Sequence, residues 1–255
     1  MLKTKAIVVG DVKVSLYLSR PIAANTAESK GYGARSVVMY DNYGFGWFIS
    51  GDNGSVVEDV YGPLEQNVAS AVLALGRQKT VFNAVVKRPE DKVFSNFASA
   101  PIMVDGIIYP TVEHAYQAMK TLDNRERILM SLKPSAGKAK LAGRQIILRK
   151  DWEKVRLPIM TALEFVKFSN NEEYRKVLLG TGSNEIIEDA SAWDDMVWGI
   201  GKDGRGNNLL GTALMIVRRM LKNDVVPDRK WFSVLNGQPG SWDSDGSSDN
   251  RSEPV

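Results

Sequence analysis

The sequence predicts an α+β protein in which a small strand-rich α+β module precedes a larger, mostly helical domain. Apolar and polar residues alternate at Val12–Leu18, which is typical of a half-buried strand. In the middle of the chain, apolar residues recur every three or four positions, as on amphipathic helices. Beyond them the sequence becomes rich in Ser, Asp, Gly and Pro. We therefore expect three units, at 1–88, 89–222 and 223–255, with the last one mobile from residue 237.

The N-terminal module is predicted to hold several short strands and one helix. Pro63 suits the first position of that helix, and Gly76 suits its end. We find no catalytic group of residues in this module. The further predicted strands are Ser36–Tyr40, Gly46–Ile49, Val56–Tyr61 and Val81–Val86.

The next predicted elements form the centre of the chain. A turn at Asp105-Gly106 leads into a strand at Ile107–Tyr109, and Thr111 then suits the N-cap of a helix. One face of this helix is apolar. A second stripe carries a carboxylate, an amide and an amine, which suits either a solvated face or a reaction site. The apolar residues are Val112, Ala115, Tyr116 and Met119, and the polar ones are Glu113, Gln117 and Lys120.

Later segments continue the helical pattern. We predict a helix at Ala136–Ile147, a long amphipathic helix from Trp152, and a short strand at Glu185–Glu188. A glycine-rich loop at residues 194–208 precedes the last helix, which has Leu210, Leu214 and Val217 on its inner face.

Composition excludes several kinds of site. The chain of 255 residues has no cysteine and one histidine, His114, so neither a thiolate nucleophile nor a Cys- or His-rich metal site is possible. We expect His114 to be a structural hydrogen-bonding residue, and we expect no metal and no cofactor. The sequence has no long apolar run and no signal-peptide pattern, so we expect a soluble, cytoplasmic protein.

Positive charge is concentrated in one stretch. Ten Lys or Arg residues stand against three acids between Arg125 and Arg156, although the net charge of the chain is only +3. Such a stretch indicates either a solvated helical surface or a polyanionic partner, such as nucleic acid or a pyrophosphate.

Short motifs give the sequence its resemblance to a known family. They span about residues 93–221, and their order is more specific than any one of them. On these motifs the sequence resembles the NADAR family, also called YbiA-like. The motifs are FSNF at 94–97, PTVEH at 110–114, QAMK at 117–120, GR at 143–144, DW at 151–152, DMVWG at 195–199 and GNNLLG at 206–211.

The resemblance implies an α-rich α+β fold and hydrolysis of N-glycosidic bonds. One known substrate group is ADP-ribose attached to guanine in DNA or RNA, and members acting on it counter ADP-ribosylating toxins as antitoxins or anti-defence proteins. The other group is the phosphoribosyl-aminopyrimidine intermediates of riboflavin synthesis. The basic stretch favours the first. A module that binds ADP-ribose or nucleic acid without cleaving it remains a third hypothesis.

With this resemblance, three residues become candidate catalytic groups. Glu113 and Asp195 are the carboxylates expected near the ribose C1′, where positive charge develops as the bond to the base breaks. Without the family, Glu113 suits a helix-dipole partner and Asp195 suits a turn residue. Lys120 is either a surface lysine or a nucleophile that forms a Schiff base with the ring-opened ribose.

Other residues are candidates for substrate binding. Trp152 and Trp198 offer flat surfaces for stacking, although Trp152 also fits the core. Arg144 and Lys150 suit a pyrophosphate, and Asn208 precedes a helix N-terminus that suits either an anion or a simple cap. The remaining candidates are Asn96 and Phe97 at the sugar pocket and Gln117 on the polar stripe.

Overall fold

The computed structural model describes residues 4–9, 12–17, 25, 37–40, 46–49, 79–82, 89–182, 184–227 and 229–237. Its strands are β1 (Thr4–Val9), β2 (Val12–Tyr17), β3 (Val37–Tyr40), β4 (Gly46–Ile49), β5 (Lys79–Phe82), β6 (Ile102–Val104), β7 (Ile107–Tyr109) and β8 (Glu185–Glu188). Its α-helices are α1 (Val112–Ala118), α2 (Asn124–Ser131), α3 (Ala136–Ala142), α4 (Trp152–Ser169), α5 (Glu172–Gly180), α6 (Leu209–Lys222) and α7 (Arg229–Phe232). Single 3-10 segments occur at Pro89–Phe94 and Ser233–Asn236. The α+β prediction is confirmed.

The first four strands form an antiparallel sheet in the order β1-β2-β4-β3. The predicted strands at Val12–Leu18, Ser36–Tyr40 and Gly46–Ile49 correspond to β2, β3 and β4. The sequence prediction omitted β1. The strand expected at Val56–Tyr61, the helix at Pro63–Gly76 and the tail beyond residue 237 lie outside the described residues.

Strand β5 joins the helical domain. It runs from Lys79 to Phe82, earlier than the predicted Val81–Val86, and pairs in parallel with β8. The Asp189 amide extends this pairing by donating to the Phe82 carbonyl at 2.7 Å. The predicted module at 1–88 thus contains a strand that completes a sheet with β8, while the boundary at residue 89 stays a prediction.

The core lies where α4 and α6 pack together and α6 lies on β8. Side chains from both helices are fully buried there, among them Ile159, Leu163 and Leu214. A methyl group added at Gly211 would stand 2.0 Å from the Ile186 carbonyl oxygen. Glycine at this position therefore lets the first turn of α6 lie directly on the strand.

Helix α3 is shorter than the predicted Ala136–Ile147 and ends at Ala142. The chain after Gly143 turns toward the end of α1, where the Arg149 amide donates to the Lys120 carbonyl at 2.8 Å. Ile147, expected near the end of a helix, is instead 87% exposed. The tertiary bond to Lys120 accounts for the early end of the helix.

Two buried arginines attach the C-terminal segment to the domain. Arg127 donates to the Leu235 carbonyl at 2.7 Å, and Arg149 donates to the Val234 carbonyl at 3.0 Å. Trp231 also packs on Phe165, with ring centroids 5.9 Å apart. Since both arginines belong to the basic stretch, part of its charge serves the fold and does not reach the surface.

Candidate active site

Helix α1 begins with a cap that fixes its register. The Thr111 side chain accepts a bond from the His114 amide at 3.3 Å. The His114 ring also bonds the Thr111 hydroxyl at 2.8 Å and the Lys133 carbonyl at 3.1 Å. A carbonyl accepts only, so Nε2 carries the proton and Nδ1 accepts from Thr111. The structural role expected of His114 is confirmed.

The polar stripe of α1 is buried rather than solvated. Glu113 is 2% exposed, and its carboxylate accepts bonds from the side-chain amides of Asn96 and Gln117, the latter at 2.8 Å. The Glu113 backbone amide also donates to the Asn96 carbonyl at 2.9 Å. This arrangement exceeds what a helix-dipole partner requires, because both carboxylate oxygens are held inside the domain.

Burial raises the pKa of Glu113 above its usual value. The hydrogen bond from Gln117 and the charges of Lys140 and Lys120 act in the opposite direction, and the charge of Asp195 adds to the rise. Three charged residues are therefore close enough to act on this carboxyl group. A carboxylate with a raised pKa is a stronger base than an exposed one.

Lys120 lies next to this carboxylate without an ion pair to it. Its Nζ donates to the Gly143 carbonyl at 3.1 Å and stands 5.9 Å from the centroid of the Trp152 ring. Burial lowers the pKa of Lys120, against the opposing effect of Glu113. An amine that is held in place and has a lowered pKa is suited to act as a nucleophile, unlike the amine of an exposed surface lysine.

Gly143 allows this part of the site to close. A methyl group added there would stand 1.8 Å from the Gln117 side-chain oxygen. Gln117, buried at 4% exposure, thus packs directly against the Gly143 backbone while donating to Glu113. The GR motif therefore supplies space for Gln117 and a carbonyl for Lys120.

The segment that carries Asn96 is held in place by a buried lysine of α4. The Ser95 carbonyl accepts a bond from Lys167 Nζ at 3.1 Å, and Lys167 forms a fully buried ion pair with Glu164 at 2.8 Å. The Ser95 hydroxyl oxygen accepts from the Phe97 amide at 3.1 Å. These bonds fix the FSNF motif and hence the position of Asn96 beside Glu113.

Two predicted stacking residues belong to an aromatic cluster around Tyr116. The rings of Trp152 and Trp198 each lie with their centroids 5.1 Å from that of Tyr116. Trp152 is buried, which confirms the core alternative for this residue, and Trp198 is partly buried against the same core. Through these contacts the cluster packs α1 against the glycine-rich loop.

Asp195 is both a turn residue and a cavity residue. Its Oδ1 accepts bonds from the amides of Val197 at 2.9 Å and Trp198 at 2.8 Å. These bonds shape the start of the glycine-rich loop. They also fix the carboxylate at the edge of a cavity, so the turn role and the site role are compatible.

The cavity has a volume of about 560 Å³, which lies within the usual range for small-molecule sites. One face of α3 and its C-terminal extension contributes four lining residues, which follow the helical spacing i, i+3, i+4 and i+7. The opposite wall comes from the FSNF segment and the loop before Asp195. The lining residues are Phe97, Gly137, Lys140, Leu141, Arg144, Trp193 and Asp195.

Sequence reasoning missed Glu188. Its side chain is buried, and among the described residues its Oε2 has no hydrogen-bond partner. Burial raises the pKa of Glu188 to about 8, as do the charges of Asp195, Glu113 and Glu164, while Lys140 lowers it. Glu188 ends a parallel strand, and such strand ends often meet a ligand site. The influence of Glu113 and Asp195 on its pKa makes Glu188 a candidate third acid near the site, although it is not among the residues that line the cavity.

Two predicted binding residues, Asn208 and Lys150, are not among the residues that line the cavity, and their roles in binding stay predictions. Asn208 is 1% exposed with a left-handed φ of 53° and makes no side-chain cap. Its amide donates to the Ile186 carbonyl at 2.9 Å and its oxygen accepts from the Glu188 amide at 3.0 Å, so it joins α6 to β8. Lys150 is exposed and does not line the cavity, whereas Arg144 does. Lys140 and Trp193, which sequence reasoning did not select, also line it.

The described residues contain no group of three or more His, Cys, Asp and Glu side chains arranged to hold a metal ion. Within the same residues, no helix combines the length and apolar character that crossing a membrane requires.

The sequence profile of the NADAR domain matches residues 82–222. The chain belongs to the NADAR family. The N-glycosidase YbiA of Escherichia coli K12 is 38% identical over 146 residues, which cover 56% of this chain and 90% of that protein. A riboflavin biosynthesis protein of Vibrio vulnificus is 36% identical over 152 residues, covering 58% of this chain and 40% of that protein.

The NADAR fold is also seen in a solved structure. The NMR structure of Escherichia coli YbiA matches with a TM-score of 0.52 and 35% identity, covering 60% of this chain and 92% of that one. The resemblance inferred from the motifs is thus confirmed. Relatives of this NADAR protein carry the name N-glycosidase, which supports a glycosyl hydrolase activity.

Proposed function

We propose that this NADAR protein is an N-glycosidase that removes ADP-ribose from guanine in DNA or RNA and restores the base. In a cell, this reaction would counteract an ADP-ribosylating toxin. One observation carries the proposal: a buried carboxylate, Glu113, lies within electrostatic reach of Lys140 and Asp195, which line a cavity of the right size. In this arrangement Glu113 supplies a negative charge for the ribose, and the cations of the cavity wall supply positive charge for a diphosphate.

The first step acts on the bond between C1′ and the base nitrogen. As this bond lengthens, the ribose acquires oxocarbenium character, which a nearby carboxylate stabilises. Glu113 is suited to this role because Asn96 and Gln117 fix its orientation. Asp195 supplies a second negative group at the cavity edge.

Departure of the base requires a proton. Glu188 is suited to supply it, because a carboxyl group with a pKa of about 8 remains protonated at neutral pH. The proton passes to the departing nitrogen as the C1′–N bond breaks. The resulting Glu188 carboxylate regains a proton from solvent at the end of the reaction.

Two routes lead to free ADP-ribose. In one, the base departs first, and Glu113 or Asp195 activates a water molecule that adds to C1′. In the other, the ribose ring opens while the base is still attached, the Lys120 amine adds to C1′, and the base leaves with the proton; water then hydrolyses the resulting imine and frees the amine. The lowered pKa of Lys120 and its position beside Glu113 support the second route.

Lys140 and Arg144 are suited to bind the diphosphate. They lie on the face of α3 and its extension that lines the cavity, one helical turn apart. A guanidinium offers a fork of donors that matches two phosphate oxygens, and an ammonium adds a point charge. Exposed cations outside the cavity, such as Lys138, extend the positive surface toward a polymer.

A second candidate is hydrolysis of phosphoribosyl-aminopyrimidine intermediates of riboflavin synthesis. The similarity to the Vibrio vulnificus riboflavin biosynthesis protein favours it. It needs the same carboxylates and one phosphate site, but no surface for a polymer. A binding module without catalysis is the third candidate, and the polar contacts of Glu113 argue against it.

Parallel incubations test these candidates. The full chain is given a guanine-ADP-ribosylated oligonucleotide or a phosphoribosyl-aminopyrimidine, and the products are weighed by mass spectrometry. We expect free ADP-ribose and the unmodified oligonucleotide. Release of pyrimidine alone would establish the second candidate, and binding of ADP-ribose without any product would establish the third.

A further inference from the structure

Two aromatic side chains at the cavity differ from the other aromatic residues of the domain. Phe97 is 39% exposed and Trp193 is 38% exposed, and both line the cavity. Among the residues whose burial is described, they are the exposed aromatic side chains; the others are buried or partly buried. Exposure of two large rings at one cavity is costly unless a ligand covers them.

The other tryptophans whose burial is described are buried or partly buried and contact aromatic rings of the fold. Trp152 and Trp198 pack on Tyr116, and Trp231 packs on Phe165 and Phe232. Their ring surfaces serve the core. A planar ligand in the cavity would therefore meet Phe97 and Trp193 first.

The charges beside these rings indicate what kind of planar ligand fits. Lys140 Nζ lies 5.8 Å from the centroid of the Phe97 ring, and both residues line the cavity with Arg144. Two cations beside two exposed rings match a molecule that carries a phosphate and a flat, uncharged group. A sugar phosphate alone would use the cations and leave the rings uncovered.

We infer that Phe97 and Trp193 stack on a nucleobase whose attached phosphate is held by Lys140 and Arg144, so that the cavity selects phosphorylated nucleosides over sugar phosphates. The inference rests on the proposed N-glycosidase function of this cavity, and it assigns Trp193 a role in substrate selection. The stacked base is either the adenine of ADP-ribose or the base that departs. Both share the same chemistry at this surface.

Binding measurements on the full chain test this without requiring turnover. Intrinsic tryptophan fluorescence and calorimetry follow titration with ADP-ribose, guanosine 5′-monophosphate and ribose 5-phosphate. We expect at least one of the two nucleotides to bind with quenching of the Trp193 emission. The nucleotide that does so identifies the stacked base, and ribose 5-phosphate should bind weakly without quenching.

Variants separate stacking from general damage to the cavity. Trp193→Ala should weaken binding of that nucleotide by roughly 5-fold to 150-fold, the range for one stacked base. Trp193→Phe should keep most of the affinity and lose the quenching. Ile147→Ala changes an exposed apolar residue outside the cavity. This control should bind nearly as the wild type does.

Two results would overturn the inference: Trp193→Ala with unchanged nucleotide affinity, or an equal loss of affinity for ribose 5-phosphate. These results are distinguishable from failure of the proposed function. If Trp193 stacks on ADP-ribose but no modified oligonucleotide is cleaved, the stacking inference stands and the hydrolase proposal fails. If Trp193→Ala cleaves the modified oligonucleotide with the same KM as the wild type, the hydrolase proposal stands and the stacking inference fails.

Discussion

Asn96 bonds to Glu113 twice, because its carbonyl accepts the Glu113 amide at 2.9 Å and its side-chain amide donates to the Glu113 carboxylate. Gln117 donates to the other carboxylate oxygen from one turn along the helix. Both oxygens are thus oriented by neutral amides, and within the part of the chain that the structure describes no cation forms an ion pair with them. Glu113 keeps the strength of a buried base while its direction is fixed.

Replacing Glu113 by Gln should abolish hydrolysis and preserve the fold. The substitution removes the negative charge needed at the ribose and keeps the size of the side chain. We expect the single-turnover rate on modified oligonucleotide to fall about 10²- to 10⁴-fold. Asn96→Ala should reduce the rate about tenfold, since one bond to a charged group contributes about 1.5 kcal/mol. A Glu113→Gln variant with wild-type rate would exclude Glu113 from catalysis.

Lys120 is expected to form a covalent intermediate that can be trapped. Sodium borohydride reduces an imine, so a reaction quenched with it should give a protein mass increased by a reduced ADP-ribosyl group. The adduct should be absent in Lys120→Ala and present in Lys138→Ala, which changes an exposed lysine of α3. Hydrolysis at a normal rate with no adduct would leave only the route through activated water.

Glu188 should give the reaction an alkaline limit. Its pKa of about 8 means that the protonated, proton-donating form is lost as pH rises through that value. Asp195, Glu113 and Glu164 face it with like charge, and Lys140 faces it with opposite charge. We expect the turnover rate to decline above about pH 8 in the wild type. Glu188→Gln should be slower and lack this decline; an unchanged alkaline limb would assign it to another group.

The same residue should make stability depend on pH. The folded-state pKa of Glu188 is raised from 4.5 to about 8, so the folded state binds the proton more tightly than the unfolded state. The free energy of unfolding should therefore fall as pH rises from about 4.5 through about 8. Urea unfolding of Glu188→Gln should show a shallower fall over this window. Identical slopes in the two proteins would contradict the burial of an ionisable carboxyl group here.

Lys138 and Lys140 should affect different substrates. Lys140 lines the cavity, so Lys140→Ala should weaken cleavage of both oligonucleotide and mononucleotide substrates. Lys138 is exposed outside the cavity, so Lys138→Ala should weaken only the oligonucleotide reaction and reduce its dependence on salt concentration. KM measured across a salt series checks this. A flat salt response, or equal losses on both substrates for Lys138→Ala, would favour the riboflavin-intermediate hydrolase.

Asn208 should matter for stability more than for binding. Asn208→Ala removes two buried bonds to β8 and places a non-glycine residue at a left-handed φ of 53°. We expect a loss of roughly 1–3 kcal/mol in the free energy of unfolding, from the buried backbone groups left without partners. Asn208→Gly loses the same two bonds but adopts the left-handed φ without strain, so it should lose slightly less stability. A normal melting temperature in both variants would contradict this role.

The local patterns predicted most of the helical domain. The cap at Thr111, the buried face of α1 and the strand at Glu185–Glu188 all depend on neighbouring residues, and all are confirmed. Helix α3 ends earlier than predicted, and the Arg149 amide beyond it bonds to the carbonyl of Lys120, which follows α1. Such a partner is far away in sequence and leaves no periodic signal.

The candidate site was predicted less completely, for a related reason. Glu113 lies on α1 and Lys120 lies two residues beyond its end, so their spacing alone indicated a shared surface. Glu188 ends a short strand, and its role depends on burial by segments distant in sequence. Asn208 looked like a cap because it precedes a helix, although its amide bonds sideways to β8. Trp193 stands outside the family motifs, and only its exposure at the cavity distinguishes it.

The parallel pairing of β5 with β8 has a consequence for synthesis on the ribosome. Lys79 and Glu185 lie far apart in the chain, so the sheet cannot form until almost the whole domain has emerged. Helices such as α1 and α4 depend on local contacts and can form earlier. The strand that ends in Glu188 therefore joins β5 only after α1 and α4 have been made. A nascent chain that has not yet added β8 would contain the helix of Glu113 without Glu188, its proposed proton donor.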